Sequence, residues 1–379
     1  MRIAIISPWN PWPVDSGSRQ RADLIIRGLA ASHDVFAIYG LQQPFHGSPA
    51  LEYAPPDVAQ YLTFRWPRGE SLPPNNDLVD AIGLDVRPRD IQRMHHYIPE
   101  VSGPLSTFKP AVVLALEADG ALIASAQRAG LSIPIVVDQW EPSRIVDARL
   151  PTRLRSKLFW RKVMRQARAI TVVTDVEKAA ANKVLGSASN ISIVPNEALR
   201  DASYARNPHP CTLLFAGNLD YRPNRDGILW FIADVLPIIQ KKMAGVQLEI
   251  IGRGAPLCPS GLPLGVTQRG WVDDISACYS TASVAINPVH VGHGSRVKNQ
   301  CAIVHDVPLV TFPDGSTAAS STVSCVAVST LAAQQFADAC LSFLQNPPAS
   351  ALPECESAAT SRVVKSLYEL LRNVAGVHA

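Results

Sequence analysis

The sequence predicts an α/β protein of two halves, each a doubly wound parallel sheet, and three observations carry that prediction. Ile3-Ala4-Ile5-Ile6 is a short apolar run that reads as a buried strand, and it is ended by the proline-rich turn Pro8-Trp9-Asn10-Pro11-Trp12-Pro13. After a loop, Ala22, Ile25, Ile26, Leu29 and Ala30 recur at helical spacing, and Asp34-Val35-Phe36-Ala37-Ile38-Tyr39 reads as the next strand. This β-loop-α-β order implies parallel strands. A strand–turn–helix order begins again at Leu213-Leu214-Phe215-Ala216-Gly217, and 379 residues exceed the usual size of a single core.

Further strands at Ala111–Leu116, Ile135–Asp138 and Ala169–Val173, each near a helical pattern, extend the first sheet. The first domain is expected over 1–198. Leu199–Pro210, rich in Asp, Asn, Pro and Arg, makes the linker. The second domain is expected over 207–360. Between Leu51 and Pro104 prolines and polar clusters leave no legible pattern. At the carboxyl end, Val364, Leu367, Tyr368, Leu370 and Leu371 mark an amphipathic helix within 361–379.

A hydrophobic fraction of 47% with 18% charged residues fits a globular chain and argues against extended disorder. There is no apolar run long enough to span a bilayer, and Pro8 breaks the first apolar segment too early for a signal peptide, so the expected location is cytoplasmic. A net charge of +3 does not call for nucleic acid, and the seven cysteines form no C-x-x-C pair, so free thiols are expected. Residues 153–168 read as an amphipathic helix with Arg155, Lys157, Arg161, Lys162, Arg165 and Arg168 along one side. That face is either solvated or suited to anionic lipid headgroups at the inner membrane surface.

In doubly wound sheets ligands sit at the carboxyl ends of the strands, where helix amino termini offer unpaired N–H groups to phosphate. Two places have the composition for it. At Gly217-Asn218 the missing side chain lets backbone approach a ligand, or simply makes a tight turn. In Gly292-His293-Gly294-Ser295-Arg296-Val297-Lys298 two glycines, a hydroxyl and two cations precede a helical pattern; this suits a diphosphate, with a solvated basic turn as the alternative. Asp273 and Asp274 are adjacent on an extended segment and point to opposite sides, and no D-x-D triplet occurs, so no metal site is expected. Glu117 follows a strand directly, and Asp138 and Glu141 follow the next; each either faces a ligand or serves the local structure. Arg19 and Arg21 either reach an anion or lie in a solvated helical turn.

Taken in order, Gly217-Asn218 with Asp220 and Pro223-Asn224, then Gly270-Trp271-Val272-Asp273, then Gly294-Ser295-Arg296 with Lys298 resemble the carboxyl-terminal domain of retaining GT-B glycosyltransferases. The likeness is to the bacterial exopolysaccharide-type branch, glycosyltransferase family 4-like. It implies two Rossmann-like domains facing across a cleft, the first for the acceptor and the second for the donor, with the last helix crossing back to the first domain. The implied reaction moves a sugar, hexosyltransferase-like, from a nucleoside-diphosphate sugar to a hydroxyl with retention. It would serve glycan, glycolipid or glycosylated-metabolite synthesis, and the acceptor could be lipid-linked. The diphosphate would be neutralised by protein cations without a metal or other cofactor, the nucleotide sugar being a co-substrate. Arg296 and Lys298 then hold the leaving diphosphate; Glu117, by its place after a strand, is expected to hydrogen-bond the acceptor hydroxyl or else to cap a helix. Gly17, Ser18, Gly217, Asn218, Arg253, Trp271, Val272, Gly292, His293, Gly294, Ser295 and Cys301 complete the donor site.

The chain departs from that pattern at several points. Family members follow the lysine with K-(I/L)-L-E-A, whose glutamate accepts from both ribose hydroxyls; here Lys298-Asn299-Gln300-Cys301-Ala302 stands instead. The usual glycine before the proline is replaced by the run His305-Asp306-Val307-Pro308, and the cations that relatives carry after the first strand are replaced by Asn218 and Arg225. These changes leave two rivals: a non-catalytic subunit binding sugar nucleotides or glycans, and a GT-B sugar-nucleotide epimerase.

Overall fold

The computed structural model describes residues 1–12, 14, 17–41, 58, 60–65, 99–117, 133–138, 142–143, 146, 161, 164–186, 190–200, 203–258, 261–290, 297–313, 325–328, 331–349 and 361–377. They divide into two compact units, one of Met1–Val14, Ser18–Pro195 and Ala358–Ala379, the other of Asp15–Gly17 and Asn196–Ser357.

The first unit is built on β1 (Arg2–Ser7), α1 (Gly17–Ala30), β2 (Asp34–Leu41), β3 (Gln60–Arg65), α2 (Pro99–Phe108), β4 (Val112–Leu116), β5 (Ile135–Asp138), β6 (Ala169–Val172), α3 (Asp175–Leu185) and β7 (Ile191–Ile193). Its seven strands lie in the order β3-β2-β1-β4-β5-β6-β7 and every pairing is parallel. β4 and β5 are buried along their whole length, because helices cover both faces of such a sheet; this is why their sequences are unbroken apolar runs rather than alternating ones.

The second unit contains β8 (Thr212–Ala216), α4 (Arg222–Trp230), a π turn (Phe231–Val235), α5 (Leu236–Lys242), β9 (Gln247–Ile251), β10 (Val266–Gly270), α6 (Ile275–Thr281), β11 (Val284–Asn287), α7 (Val297–Val304), β12 (Leu309–Thr311), β13 (Cys325–Ala327) and α8 (Ala333–Gln345). Its six parallel strands lie in the order β10-β9-β8-β11-β12-β13. The π turn has a local cause. Pro237 has no N–H to donate to the preceding turn, and the wider turn lets the helix continue while keeping Phe231 and Val235 buried. Phe231 meets Phe336 of α8 edge-on, their rings 5.8 Å apart. A final helix, α9 (Arg362–Ala375), begins at Ser361, whose hydroxyl accepts from the Val364 N–H, and ends at Gly376 in the left-handed conformation. Its residues Val363, Val364, Leu367 and Leu371 are buried, and Tyr368 stacks on His33 at 4.1 Å within the first unit.

Both units are parallel α/β sheets as the alternation of strands and helices predicts. β3 went unread because Gln60–Arg65 lies in the stretch where prolines and polar residues hide any period. It is ordered by pairing with β2 from Phe36 to Leu41, a tertiary contact without local signature.

Candidate functional site

In the second sheet the chain order reverses between β8 and β11, so the carboxyl ends of these two strands form the topological switch point where doubly wound sheets bind ligands. Gly217 and Asn218 follow β8, and Asn287 closes β11 with Pro288 after it. α4 enters this corner through Gly227, where a Cβ would stand 2.7 Å from the Pro288 carbonyl oxygen.

Lys298, in the first turn of α7, reaches the same corner. Its Nζ donates to Asn224 Oδ1 at 2.5 Å and stands 4.8 Å over the Phe215 ring. Gly217 makes this approach feasible: a Cβ there would lie 3.2 Å from Lys298 Nζ and 3.0 Å from Asn224 Nδ2. The Asn218 side chain accepts from the Asp220 N–H at 2.9 Å, closing a tight turn, and its carbonyl accepts from Asn224 Nδ2 at 2.8 Å.

The neighbouring strand ends add a second group. Arg253 follows β9 and Trp271 follows β10, with the guanidinium 5.3 Å from the indole centre and the indole 43% exposed. Val272 next to it is half-buried against the core. Gly252 locks these loops together; its φ is +122°, and a Cβ would sit 2.2 Å from the Gly217 carbonyl oxygen. Gly217, Asn218, Arg253, Trp271 and Lys298 therefore share one sheet edge, which presents a cation, an aromatic face and close-packed backbone. Gly292, His293, Gly294, Ser295 and Arg296 lie outside the described residues.

Cys301 is 3% exposed and belongs to the apolar cluster that includes Leu214, Ile251, Tyr279, Val307 and Leu309. Its thiol is thus packed into the unit rather than presented to solvent, because α7 buries the side on which Asn299, Cys301 and Ala302 fall. Asn299 is held by Asn287 Nδ2 at 2.7 Å and donates to Thr311 Oγ1 at 3.4 Å, a buried polar chain at a position that is apolar in the family pattern. Asn287 Oδ1 is buried without a hydrogen-bond partner.

In the first sheet the order reverses between β1 and β4, and Glu117 stands directly at the end of β4. It is half-buried, with φ +58°, a left-handed conformation uncommon outside glycine and associated with functional sites. Gly17 and Ser18 open α1.

Several cations and carboxylates have structural partners. Arg21 forms a buried bidentate pair with Asp138, Nε to Oδ2 and Nη2 to Oδ1 at 2.8 Å each, and donates also to the carbonyls of Val194 and Pro195. Thr171 Oγ1 also donates to Asp138. A ligand role for Arg21 or Asp138 is thereby corrected: each is 2% exposed or less, and a buried ion needs its counter-ion. Arg225 donates to the carbonyls of Ala255, Pro256 and Leu257, so it braces that loop. Arg161 directs its Nε to the Val184 carbonyl at 2.7 Å in the last turn of α3, so it belongs to a helix end rather than to a free basic face. Arg165 and Arg168 are exposed; Glu141 and most of 153–168 lie outside the described residues. Asp274 caps α6 by accepting from the Ser276 N–H at 2.7 Å, while Asp273 accepts from Trp271 Nε1 at 3.3 Å, so the two carboxylates serve different partners. Among the described residues no three His, Cys, Asp or Glu side chains cluster as metal ligands, and no helix is long and apolar enough to cross a membrane.

Asn224 enters the sequence reading only within the Pro223-Asn224 pattern, with no role of its own assigned. Its signal was available: a polar residue in the first turn of a helix, after the glycine turn of a suspected ligand site.

Comparison with known proteins agrees with this architecture. Residues 210–346 match the family described as glycosyl transferases group 1. A protein of the cps region of Klebsiella pneumoniae, described as uncharacterized, is 26% identical over 118 residues, 28% of this chain. The chain spans only 30% of the length of that relative. Sucrose-phosphate synthase from Thermosynechococcus elongatus superposes with a TM-score of 0.66 at 15% identity, over 99% of this chain and 96% of that one. HepE of Anabaena, solved in complex with UDP, gives 0.67 at 11% identity over 99% and 98%. The lipopolysaccharide outer core galactosyltransferase WaaB gives 0.55 at 13% identity over 99% of each chain. The chain thus has the GT-B fold, and its residues 210–346 match the glycosyl transferases group 1 family.

Proposed function

We propose that this protein transfers a glycosyl group from a nucleoside-diphosphate sugar to an acceptor hydroxyl, with retention and without a metal. The observation that carries the reading is the Lys298 ammonium, lodged beside Gly217 at the switch point of the sheet in the region that matches the glycosyl transferases group 1 family. Breaking the bond between the anomeric carbon and the diphosphate leaves negative charge on the departing nucleotide. A fixed cation lowers the barrier because it is oriented before the charge develops. Arg296, two residues earlier, supplies a second cation able to fork onto two phosphate oxygens. Trp271 and Arg253 offer a planar surface suited to the nucleotide base. HepE has been solved with UDP and with UDP-glucose, which makes a uridine nucleotide the first donor to try. Glu117 accepts a hydrogen bond from the acceptor hydroxyl, whose oxygen bonds the anomeric carbon as the bond to the diphosphate breaks, and the hydroxyl proton passes to an oxygen of the departing diphosphate. Retention is taken from the family resemblance.

A thermal-shift series with UDP, GDP, ADP, CDP and dTDP tests the donor, since binding only the native state raises the midpoint with occupancy. One base should stabilise the protein, and Lys298→Ala should remove most of that shift. If no nucleoside diphosphate changes the midpoint, the transferase reading fails. Transfer should also persist in excess chelator; loss restored by Mg²⁺ would show a metal-dependent enzyme.

The buried Cys301 favours a second reading, a subunit that binds sugar nucleotides without turnover, because the side chain at the ribose-binding position of the family lies within the core. Nucleotide binding with no sugar transfer or donor hydrolysis would select it.

A further inference from the structure

We propose that Asn224 is a positioning residue of the donor site, its carboxamide fixing the Lys298 ammonium and the Gly217-Asn218 turn in one geometry. The inference rests on Lys298 being the cation that meets the diphosphate. Asn224 is buried in the first turn of α4 and makes two bonds of opposite sense. Its Oδ1 accepts from Lys298 Nζ at 2.5 Å, and its Nδ2 donates to the Asn218 carbonyl at 2.8 Å.

The chemistry fixes which way the amide points. An ammonium can only donate and a carbonyl can only accept, so the oxygen must face Lys298 and the nitrogen must face Asn218. A carboxylate would lose the donor, and an aliphatic side chain would lose both. The acceptor is also neutral. It orients one Nζ proton without adding a negative charge of its own, whereas an aspartate would set one against the ammonium. The Phe215 face under Nζ adds a second neutral constraint, and the absent Cβ of Gly217 leaves the ammonium room beside the backbone. Neither the Asn224 amide nor the Phe215 ring carries a charge that would compete with a ligand for the ammonium.

The test is calorimetric binding of the best nucleoside diphosphate among UDP, GDP, ADP, CDP and dTDP to four variants, with the unliganded melting midpoint recorded for each. Asn224→Ala should weaken binding about tenfold. In a Lys298→Met background the same change should cost much less, only what the Gly217-Asn218 turn contributes, since residues acting through one another are not additive. Asn224→Asp, close to isosteric, should bind more weakly than Asn224→Ala, because the carboxylate ties up the ammonium. Equal losses from Asn224→Ala with and without Lys298, or Asn224→Asp binding like the parent, would overturn the proposal. If Lys298→Met binds like the parent, the reading of Lys298 itself fails, a distinguishable result. Should Asn224→Ala fold poorly, the Asn224→Asp comparison still decides.

Discussion

At the scale of single residues, the second unit favours the neutral form of a buried imidazole. His305 is buried, with Nδ1 2.7 Å from the Cys301 carbonyl and Nε2 3.0 Å from Ser276 Oγ. A carbonyl can only accept, so Nδ1 carries the proton and Nε2 accepts from the serine. Burial lowers its pKa from 6.5, and Arg200 and Arg206 act in the same direction; the Cys301 carbonyl and Asp274 oppose them. The unfolded chain therefore binds a proton near 6.5 that the folded one refuses, and stability should fall as the pH drops through that value, levelling off below the folded pKa. Melting curves across this range should show the slope in the parent and a smaller one in His305→Gln; equal slopes would refute it. Cys301 yields another expectation. Restoring the family glutamate by Cys301→Glu places a carboxylate among apolar neighbours, so it should lower the stability of the fold by about 2–4 kcal/mol in urea titrations without tightening nucleotide binding.

Among elements, the loops after β8, β9 and β10 act as one piece. Gly217 N–H donates to the Ile251 carbonyl, Leu219 N–H to Arg253, and Gly252 N–H to Gly270. Gly252 is the keystone because its backbone is left-handed and its α-carbon lies against Gly217. Gly252→Ala should cost about 3 kcal/mol or more, and should also weaken nucleotide binding by displacing Gly217. A variant that melts early yet binds normally would separate the loops from the site. The sequence made β1, β2, β4, β5, β6 and β8 legible, because buried parallel strands are largely apolar. It gave no sign of β13, three residues with a half-buried first position and two exposed ones, which exists by pairing with β12.

At the scale of the whole molecule, the first unit is pinned where its chain departs. Arg21 on α1 joins Asp138 at the end of β5 to the Val194 and Pro195 carbonyls, the last residues before the second unit. Removing one partner of a buried pair leaves an uncompensated charge, so Asp138→Ala should cost about 3–5 kcal/mol of unfolding free energy. The double change Arg21→Met with Asp138→Leu should recover most of it, since no charge is then left alone; failure to recover would assign the loss to packing.

What the sequence by itself determined is the class of fold and the strand ends where the candidate site lies. Apolar periodicity and glycine turns are local properties, set by burial on two faces and by backbone that needs to come close. Tertiary structure decided the partners. Arg21, Arg161 and Arg225 carry the same charge as Lys298, and composition cannot say which cation is already matched. Only the folded sheets show that those three bond to carbonyls, and in Arg21 to a carboxylate as well, while Lys298 donates to the Asn224 amide oxygen and stands over the Phe215 ring at the switch point of its sheet. The role of Asn224 became legible for the same reason: one of its two bonds stays within the local turn, six residues away, but the other reaches Lys298 74 residues on, where local pattern carries no information.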